Sequence, residues 1–516
     1  MTSSALALSN GPVPGVPAVR CLGPARLTAG LDRYRRLDLR THLGIHGRML
    51  PLTVSELVGL AERISLRGRG GAGFPFGRKV RAVVESAQRR RSGTVVVVNA
   101  TEGEPASWKD KVLLARAPHL ILDGAALAAR ALGADGIVVG VADDGIGEES
   151  MIRALAERQM PAPTQVVTMP HRFISGEGGA LVRGINGEVP IPPGIKTRAS
   201  DSGVGGLPTL LSNAETYAQL AIAARLGPRG YAEVGTEREP GTVLLTVGGS
   251  AAYPSVVEVP TGVPLMLVLS VCRAPVGQGV LMGGFHGKWM SPEAAAQARV
   301  SRESLDALGG TLGAGIILPL GEGTCPLGEV TRVVHYLAGQ SAGQCGPCRM
   351  GLPDLARTIA MLADGSGGRG SVDAIRAAAG GVRGRGACSH PDGTASFALS
   401  ALETFTADVD AHVKHDGCGQ QTQNVLPLPV EEAGAGARLA VDWARCDGHG
   451  LCAHIVPELI RLDGNGFPSF PDTLVPPWLE AEAQKAVRMC PALALRLTSG
   501  DRKGADSKAG ANGRRR

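Results

Sequence analysis

The first part of the chain alternates between short apolar runs and longer stretches with helical periodicity. "LTVSELVGLAERISL" has helical spacing and leads into the glycine-rich loop "RGRGGAGF", and "GTVVVVNATEGEP" is a β-branched run that ends in a polar loop. "HLILDGAALAARALGA" predicts a helix that ends at glycine, and "DGIVVGVADD" predicts another strand. Runs that are apolar at every position suit strands buried on both faces. The alternation therefore predicts a parallel sheet with helices on its faces.

The pattern changes at about residue 241. "GTVLLTVGGS", "PSVVEVPTG" and "GAGIILPLG" are short strands punctuated by glycine and proline, around one helix near "PLMLVLSVC". They predict a small α+β domain. Helical periodicity returns over 327–415, and the Gly-, Gln- and Pro-containing stretch after it is typical of a linker. A further compact module, at the C-terminal side of the linker, follows that stretch.

Composition and charge exclude several classes of protein. The 516 residues are enough for three or four domains, and 44% of them are hydrophobic. No apolar run reaches the ~18–20 residues of a membrane span. The N-terminus does not show a basic segment followed by an apolar one, so we expect a cytoplasmic protein. The net charge of +6 is spread along the chain without a basic, aromatic-rich stripe, so we expect no nucleic-acid partner.

Ten cysteines in a chain without an export signal indicate metal or redox chemistry rather than a disulfide framework. Six of them fall into two triplets, which are Cys345, Cys348 and Cys388, then Cys446, Cys452 and Cys490. The other four stand alone and are interpreted as buried or idle thiols, namely Cys21, Cys272, Cys325 and Cys418.

The C-terminal triplet has two local cysteines in "CDGHGLC" and one distant cysteine followed by proline. Small ferredoxins hold a cubane cluster with this arrangement, although a Cys3His zinc site could use the same residues with His449. The module resembles single-cluster ferredoxins of the C-x-x-H-x-x-C…C-P kind, some of which serve cytochromes P450. That resemblance implies a [3Fe–4S] or a [4Fe–4S] cluster, with His449 either a ligand or a bystander.

The first triplet combines the C-x-x-C of "SAGQCGPCRMG" with Cys388 in "GRGACSHPDG". A redox disulfide is the main alternative, but a thioredoxin-like motif belongs at a strand–helix junction. This pair lies inside a helical domain, which favours cluster binding.

Four segments precede that helical domain in a specific order: "RGRGGAGF", "NATEGEP", "ISGEGGALV" and "GLPTLLSNAET". Glycine loops let backbone N–H groups approach a phosphate, but one such loop alone would be weak evidence. Together the segments resemble the NADH-oxidising flavoprotein subunit of respiratory complex I and its relatives in soluble hydrogenases and formate dehydrogenases. The resemblance covers roughly residues 40–415.

The resemblance implies an α/β chain with a Rossmann-like FMN domain, a ubiquitin-like (SLBB) α+β domain, a helical iron–sulfur bundle and a C-terminal α+β ferredoxin module. The expected boundaries are 1–28 for a flexible lead-in, 29–235 for the FMN and NADH domain, 236–326 for the SLBB domain, 327–416 for the helical iron–sulfur domain, 417–436 for the linker, 437–499 for the ferredoxin domain and 500–516 for a disordered basic tail.

The resemblance also implies a set of site residues. The FMN loop would be Gly68, Arg69, Gly70, Gly71, Ala72, Gly73 and Phe74, with Lys79 near the phosphate. Flavin or dinucleotide contacts would come from Asn99, Glu102, Glu104, Gly176, Glu177 and Asn213. In the helical domain, Cys345, Cys348 and Cys388 would be the second, third and fourth cluster ligands. Ala342 stands at the first position and cannot bind iron; His390 and Cys325 are candidate substitutes.

Other departures from the family pattern concern NADH more than FMN. Thr101 and Gly178 stand where the family has acids, and Ala82 replaces an aromatic that stacks on the dinucleotide. Such aromatic contacts are worth about 1–3 kcal/mol each. Phe74 remains, and Phe76 is a candidate to compensate.

Three functions are compatible with these residues. The first is a soluble electron carrier that oxidises NADH through FMN and passes single electrons through iron–sulfur clusters to the ferredoxin domain, then to an acceptor such as a cytochrome P450. Relatives also work with a thioredoxin-like [2Fe–2S] subunit, which is not encoded here. The second is an FMN protein with another electron donor in a larger redox complex. The third is a flavin-free scaffold.

Overall fold

The computed structural model describes residues 16–195, 197–415, 417–429, 437–457, 459–469, 475 and 479–499. The chain divides into two compact units, Met1–Leu428 and Pro429–Arg516. The tail predicted at 500–516 lies outside the described residues, as do residues 1–15 of the predicted lead-in.

The strands of the described residues are β1 Ala18–Cys21, β2 Val95–Ala100, β3 Gly136–Ala142, β4 Thr164–Met169, β5 Thr209–Asn213, β6 Thr242–Val247, β7 Ser255–Pro260, β8 Gly279–Met282, β9 Lys288–Met290, β10 Ile316–Leu320, β11 Ala437–Val441, β12 Arg461–Leu462, β13 Pro468–Ser469 and β14 Leu495–Ser499.

The α-helices of the same residues are α1 Leu39–His46, α2 Val54–Arg63, α3 Phe76–Arg90, α4 Lys109–Arg116, α5 Pro118–Leu132, α6 Glu148–Ala156, α7 Gly178–Ile185, α8 Ala214–Tyr231, α9 Leu265–Val271, α10 Pro292–Gln297, α11 Arg302–Ala307, α12 Pro326–Gly339, α13 Leu352–Ala363, α14 Ser371–Val382, α15 His390–Thr404, α16 Thr406–His415, α17 Leu451–Ile455 and α18 Glu480–Met489.

The predicted parallel sheet is present and has four strands in the order β4-β3-β2-β5, all parallel. The chain builds outward from β2 to β3 and β4, then returns to add β5 on the other side of β2. The carboxyl ends of β2 and β5 are therefore a topological switch point, where open α/β sheets bind ligands. In the register, Asn99 of β2 lies directly opposite Asn213 of β5.

Both faces of this sheet are covered, which explains why its central strands β2 and β3 are apolar at successive positions. Val96 and Val98 pack with α2, α3, α5 and α8 on one face, and Val95 and Val97 pack with Leu181 of α7 on the other. Gly124 of α5 permits an especially close helix contact, because a Cβ there would lie 1.9 Å from the carbonyl oxygen of Tyr217 in α8.

A second, mixed sheet has the order β1-β7-β6-β10-β8-β9. The expectation that residues 1–28 form a flexible lead-in is wrong for the described part, because β1 pairs in parallel with β7. The buried carboxylate of Glu258 on β7 accepts hydrogen bonds of 2.9–3.0 Å from the backbone N–H groups of Arg26, Leu27 and Thr28. An unpaired buried carboxylate would be costly, so these bonds fix the segment that follows β1.

Helices α12–α16 form the helical part of the first unit, with a core that includes Leu337, Leu355 and Phe397. A π-helical turn at Pro347–Gly351 carries Cys348. Such turns in proteins occur frequently at functional sites. Leu426, inside the predicted linker 417–436, is fully buried in the same core, and the first unit extends to Leu428.

The second unit contains two short antiparallel pairs, β11 with β14 and β12 with β13, together with α17 and α18. Its core gathers Val456, Ala483, Ala486 and Leu495, with Cys452 and Cys490 at the edge.

Among the described residues, no single helix has the length and apolar composition needed to cross a membrane; α4 and α5 reach them only as a pair bent by 95°.

The contact at Gly124 predicts a stability change. Gly124→Ala should lower the free energy of unfolding by about 3 kcal/mol, because the added methyl group must push α5 away from α8. Gly44→Ala is the matched control, since this glycine also lies within a helix and has open space around it. The control should be neutral or stabilising by up to about 1 kcal/mol. Denaturant unfolding followed by circular dichroism measures both, and equal stability of the two variants would contradict the contact.

Candidate functional site

The glycine-rich loop lies between α2 and α3 at the carboxyl end of the parallel sheet. Gly71 has φ +109°, and apart from its two chain neighbours no residue has a heavy atom within 4 Å of the position of a Cβ, so the loop presents bare backbone to open space. Gly70 lies against Asn213, 3.3 Å from its Cβ. Phe74 is 46% exposed. Ala72, the remaining small residue of the loop, is also exposed.

Two arginines fix the position of the loop through hydrogen bonds. The backbone N–H of Arg69 donates to Thr216 Oγ1 at 3.0 Å, and its buried guanidinium donates to the carbonyl oxygen of Thr242 at 3.4 Å. Arg302 of α11 donates to the carbonyl oxygen of Gly68 at 3.4 Å. Gly73 has φ +61°, and a Cβ there would meet the guanidinium of Arg302 at 2.8 Å. These contacts position the loop against α8 and the second sheet.

Asn99 and Asn213 close the cleft between β2 and β5. Asn99 donates from Nδ2 to the carbonyl oxygen of Gly176 at 2.9 Å, and its Oδ1 accepts from Thr101 Oγ1 at 2.8 Å. Asn213 is the N-cap of α8 and accepts from the backbone N–H of Glu215 at 3.0 Å. Both residues were predicted from the sequence as site residues. The structure places their amides opposite each other in the sheet, although they are distant in the chain.

A buried ionic network beneath Asn213 was missed by the sequence analysis. The ammonium of Lys109 lies 2.9 Å from Asp110, 3.2 Å from Glu215 and 3.2 Å from Asn213 Oδ1. Lys109 is 2% exposed, and its pKa is raised because the neighbouring carboxylates outweigh the cost of burial. The only signal in the sequence was the charged "KDK" directly after "NATEGEPASW".

Glu102 and Glu104 follow β2 but are engaged in protein contacts. Glu102 accepts from the backbone N–H groups of Asp110 and Lys111 at 3.1 and 2.7 Å, and so caps α4. Burial, with a further effect of Asp110, raises the pKa of Glu102 to about 7. Glu104 accepts from the N–H of Phe285 at 2.6 Å, and burial raises its pKa to about 8.

Gly176 and Glu177 lie at the start of α7. Glu177 is the N-cap of this helix, and its carboxylate accepts from the N–H groups of Gly179 and Ala180 at 2.8 and 2.9 Å. Gly178, where the family pattern has a second acid, lies in contact range of Leu211. Glu177 therefore positions the helix, while Gly176 contacts the amide of Asn99.

The N-terminus of α3 adjoins the glycine loop and has no side-chain cap. Uncapped helix N-termini favour anions, since their N–H groups point outward. Lys79 lies in the first turn, donates to the carbonyl oxygen of Leu211 at 3.0 Å, and has a pKa lowered by burial. The open backbone at Gly71, the uncapped helix and the lysine fit the phosphate end of a flavin mononucleotide.

The aromatic residues fit a dinucleotide less well. Phe76 is fully buried and packs edge-on against Tyr217, with 6.0 Å between the ring centroids. Phe76 is therefore not available to stack on a dinucleotide in place of the aromatic residue that Ala82 replaces. Thr101 is buried and bonded to Asn99. Phe74 is the exposed aromatic of the loop.

The first cysteine triplet converges in the helical domain. Burial raises the pKa of Cys348 to about 12, and the thiols of Cys345 and Cys388 lie close enough to raise it further. Ala342 packs with Cys388 and Ile174, so the first ligand position is filled by a methyl group in apolar surroundings. Three gathered thiols fit an iron–sulfur cluster with a missing protein ligand.

Neither candidate substitute for that ligand turns toward the triplet. His390 bonds to the carbonyl oxygen of Leu337 at 2.8 Å and to His286 at 3.0 Å. Burial lowers the pKa of His390 to about 4. Cys325 accepts from the N–H of Gly328 at the start of α12.

The second triplet converges in the second unit. Burial raises the pKa of Cys452, and the thiols of Cys490 and Cys446 contribute to the rise. Cys490 lies at the end of α18, where its Sγ accepts from the N–H of Ala494 at 3.4 Å. His449 is exposed in the loop before α17. The three thiols fit the ligand set expected for a single cluster.

Three family descriptions match successive parts of the chain. They are the Nuo51 FMN-binding domain over residues 61–222, the NADH-ubiquinone oxidoreductase-F iron-sulfur binding region over 329–412, and the 4Fe-4S single cluster domain over 439–497. The resemblance inferred from the four motifs and the two triplets is confirmed, and with it the FMN and iron–sulfur cofactors.

Curated relatives support the same assignment. An NADH-quinone oxidoreductase subunit of Rhizobium meliloti is 28% identical over 385 residues, covering 71% of this chain and 90% of the relative. The NADP-reducing hydrogenase subunit HndC of Solidesulfovibrio fructosivorans is 25% identical over 446 residues, covering 83% and 87%. The crystal structure of an NAD+-reducing [NiFe]-hydrogenase in the air-oxidised state is similar with a TM-score of 0.67 and 25% identity, covering 77% of this chain and 68% of that one.

The burial of Glu104 predicts a pH dependence. Because its folded pKa is raised from the ordinary value of 4.5 to about 8, the folded state holds the proton more tightly than the unfolded state. This contribution to stability is present below the ordinary pKa and is lost as the pH rises toward about 8.

The Tm of the wild type should therefore fall between about pH 5 and about pH 8, and Glu104→Gln should reduce that fall, since the amide oxygen can still accept from Phe285. Glu85→Gln, which changes an exposed carboxylate on α3, is the control. Differential scanning calorimetry measures the difference. An unchanged pH dependence in Glu104→Gln would show that Glu104 is ionised in the folded protein.

Proposed function

We propose that this chain is an electron-transfer flavoprotein that oxidises NADH through FMN and passes single electrons through iron–sulfur clusters to its ferredoxin module and then to an acceptor protein. The observation that carries the proposal is the cleft at the switch point, where Asn99 and Asn213 face each other beside the open backbone of Gly71. Open α/β sheets bind nucleotides at this position.

The bound cofactors would supply the electron chemistry: FMN would take up the hydride from NADH, which leaves as NAD+, and would pass the two electrons one at a time to the clusters, with the proton going to solvent. The protein holds and orients the reactants. The loop around Gly71 and the N-terminus of α3 would hold the flavin phosphate, with Lys79 contributing positive charge. No acid–base side chain is assigned, because hydride transfer does not need one.

Two sets of thiols would hold the clusters. Cys345, Cys348 and Cys388 offer three ligands, and Ala342 leaves the first ligand position without a thiolate. A [3Fe–4S] cluster needs only three thiolates, so we assign that form to the helical domain. In the second unit, Cys446, Cys452 and Cys490 would hold the cluster that hands electrons to the acceptor.

The relatives and the fused module together support a redox partner. The relatives are described as subunits, which supports a larger redox assembly. The ferredoxin module would deliver electrons to a redox enzyme, a cytochrome P450 being one class. The ten cysteines, all of them among the described residues, are not joined in disulfides, which fits a reducing compartment such as the cytoplasm.

A second candidate function keeps the flavin but uses another electron donor. It is favoured by the burial of Phe76, which takes away one aromatic platform for a dinucleotide. Anaerobic titration of the full-length protein, loaded with FMN and clusters, separates the two. Under the first proposal NADH bleaches the visible flavin absorbance, as dithionite does. Bleaching by dithionite but not by NADH would establish the second.

The loop geometry gives a prediction for flavin binding. Gly71→Ala should weaken FMN binding at least about tenfold, equivalent to about 1.4 kcal/mol, because the methyl group would occupy the open face of the loop. Gly133→Ala is the matched control: Gly133 also has positive φ and open surroundings, but it follows α5 and precedes β3, at the opposite end of the sheet.

Both variants should lose about 1–2 kcal/mol of stability from backbone strain. Only Gly71→Ala should release flavin, measured as FMN per chain and by fluorescence titration. Equal flavin retention in the two variants would place the FMN elsewhere.

The missing ligand gives a prediction for the helical-domain cluster. Ala342→Cys should add the fourth thiolate and convert the cluster to [4Fe–4S], raising the iron content by about one atom per chain. Electron paramagnetic resonance should then lose the signal of the oxidised three-iron form. Ala363→Cys on α13 is the control and should leave the spectrum unchanged. A spectrum insensitive to Ala342→Cys would show that the cluster obtains its fourth ligand from another source.

A further inference from the structure

Four side chains with metal-binding atoms meet at one point away from both cysteine triplets. They come from three places: Cys325 at the start of α12, Asp408 and His412 on α16, and Cys418 in the segment after α16. Their ligand atoms all lie within 4.8 Å of one another. Both cysteines of this group, Cys325 and Cys418, were expected from the sequence to be buried or idle thiols. In the structure they lie close to each other and to other metal-binding side chains.

The geometry has a common centre. Cys325 Sγ lies 3.4 Å from His412 Nε2, and the same Nε2 lies 3.7 Å from Asp408 Oδ1. Asp408 and His412 are four residues apart on α16, so they share one face of the helix. The thiol of Cys325 and the carboxylate of Asp408 thus both lie close to the same ring nitrogen, and with Cys418 Sγ within 4.8 Å of each of them the four ligand atoms surround one small volume.

A catalytic cysteine would be arranged differently. In a nucleophile–histidine–acid triad the acid binds the ring nitrogen that does not face the nucleophile. Here Asp408 approaches Nε2, whereas Nδ1 of His412 is buried and has no hydrogen-bond partner within the described residues.

The four side chains differ in burial: Cys325 and His412 are buried, and Asp408 and Cys418 are half-buried. Cys325 and His412 are each 4% exposed. Cys325 Sγ accepts from the N–H of Gly328 at 3.2 Å, and Asp408 Oδ2 accepts from the N–H of Leu327 at 3.1 Å. These N–H groups belong to the first turn of α12, whose positive end stabilises anionic ligands.

We propose that Cys325, Asp408, His412 and Cys418 bind a structural Zn²⁺ ion. Zinc takes two thiolates, one imidazole and one carboxylate in tetrahedral geometry, at about 2.3 Å for sulfur and about 2.0–2.2 Å for nitrogen and oxygen. Those bond lengths place neighbouring ligand atoms about 3.3–3.8 Å apart, within the spacing of this cluster. Four protein ligands leave no open position, so the site is structural. Binding releases one proton from each thiol.

The ion would fasten the segment that follows the helical domain. This segment already bonds to the start of α12: the N–H of Cys325 donates to the carbonyl oxygen of Gln421 at 3.2 Å, and the N–H of Gln423 donates to Thr324 Oγ1 at 2.9 Å. The N–H of Val425 donates to the buried carboxylate of Glu329 at 2.9 Å. Cys418 adds a coordinate bond at the beginning of the same segment.

Metal analysis of the purified, full-length protein tests the proposal. We expect about one zinc ion per chain in the wild type, and near-complete loss in Cys418→Ser and in Asp408→Asn. Cys21→Ser, which removes an exposed cysteine of β1, should retain the zinc. FMN and sulfide content should stay unchanged in all of them, because the site is independent of the proposed electron-transfer function.

X-ray absorption at the zinc edge of the wild type needs no variant and so avoids failure to fold. The expected spectrum has two sulfur ligands at about 2.3 Å and two nitrogen or oxygen ligands at about 2.0–2.2 Å. Zinc that persists in both Cys418→Ser and Asp408→Asn would overturn the proposal. So would a Cys325–Cys418 disulfide found by mass spectrometry of freshly purified protein, or a wild type without zinc after growth in zinc-containing medium.

Discussion

The ammonium of Lys109 is almost inaccessible to water, and a buried charge is tolerated only where partners neutralise it. Those partners come from different elements: Asp110 beside it in α4, and Glu215 in the first turn of α8. Glu215 also accepts from the N–H of Leu244 in the second sheet at 3.1 Å. One charge thus holds the segment after β2, the helix after β5 and the neighbouring sheet together. Asn213 is bonded into the same network, which fixes one wall of the cleft.

The architecture around that cleft was largely accessible from the sequence, since apolar runs and helical spacing are local signals. β2 and β3 fall on the predicted apolar runs, and the glycine loop falls beside them, whereas β5 lies in a segment that was recognised as a motif and not as a strand. The roles of the acids were not accessible. Glu102 and Glu177 look like ligand contacts in a motif, but each caps a helix, because the free N–H groups of a helix start donate hydrogen bonds to a nearby carboxylate. Whether an acid faces a ligand or a helix end depends on tertiary position, which spacing does not encode.

The cysteines also show that contacts between distant segments could not be predicted from sequence spacing. The triplets were found because two members of each lie within one turn or loop, and this proximity is visible in the sequence. Cys325 and Cys418 lack such a local partner, and only the packing of α12 against α16 brings them together with His412. Likewise β1 was predicted to be part of a lead-in, since four residues with mixed burial give no periodicity. Features that depend on contacts between distant segments were therefore the ones missed.

The pairing of β1 with β7 also bears on how the molecule is made. Ala18 lies opposite Ser255, so β1 leaves the ribosome long before its partner exists. At translation rates of about 5–20 residues per second, the wait is roughly 10–50 s. During that time all four strands of the parallel sheet are completed. The parallel sheet can thus form while β1 is still unpaired, and β1 docks later than several strands that follow it in the sequence.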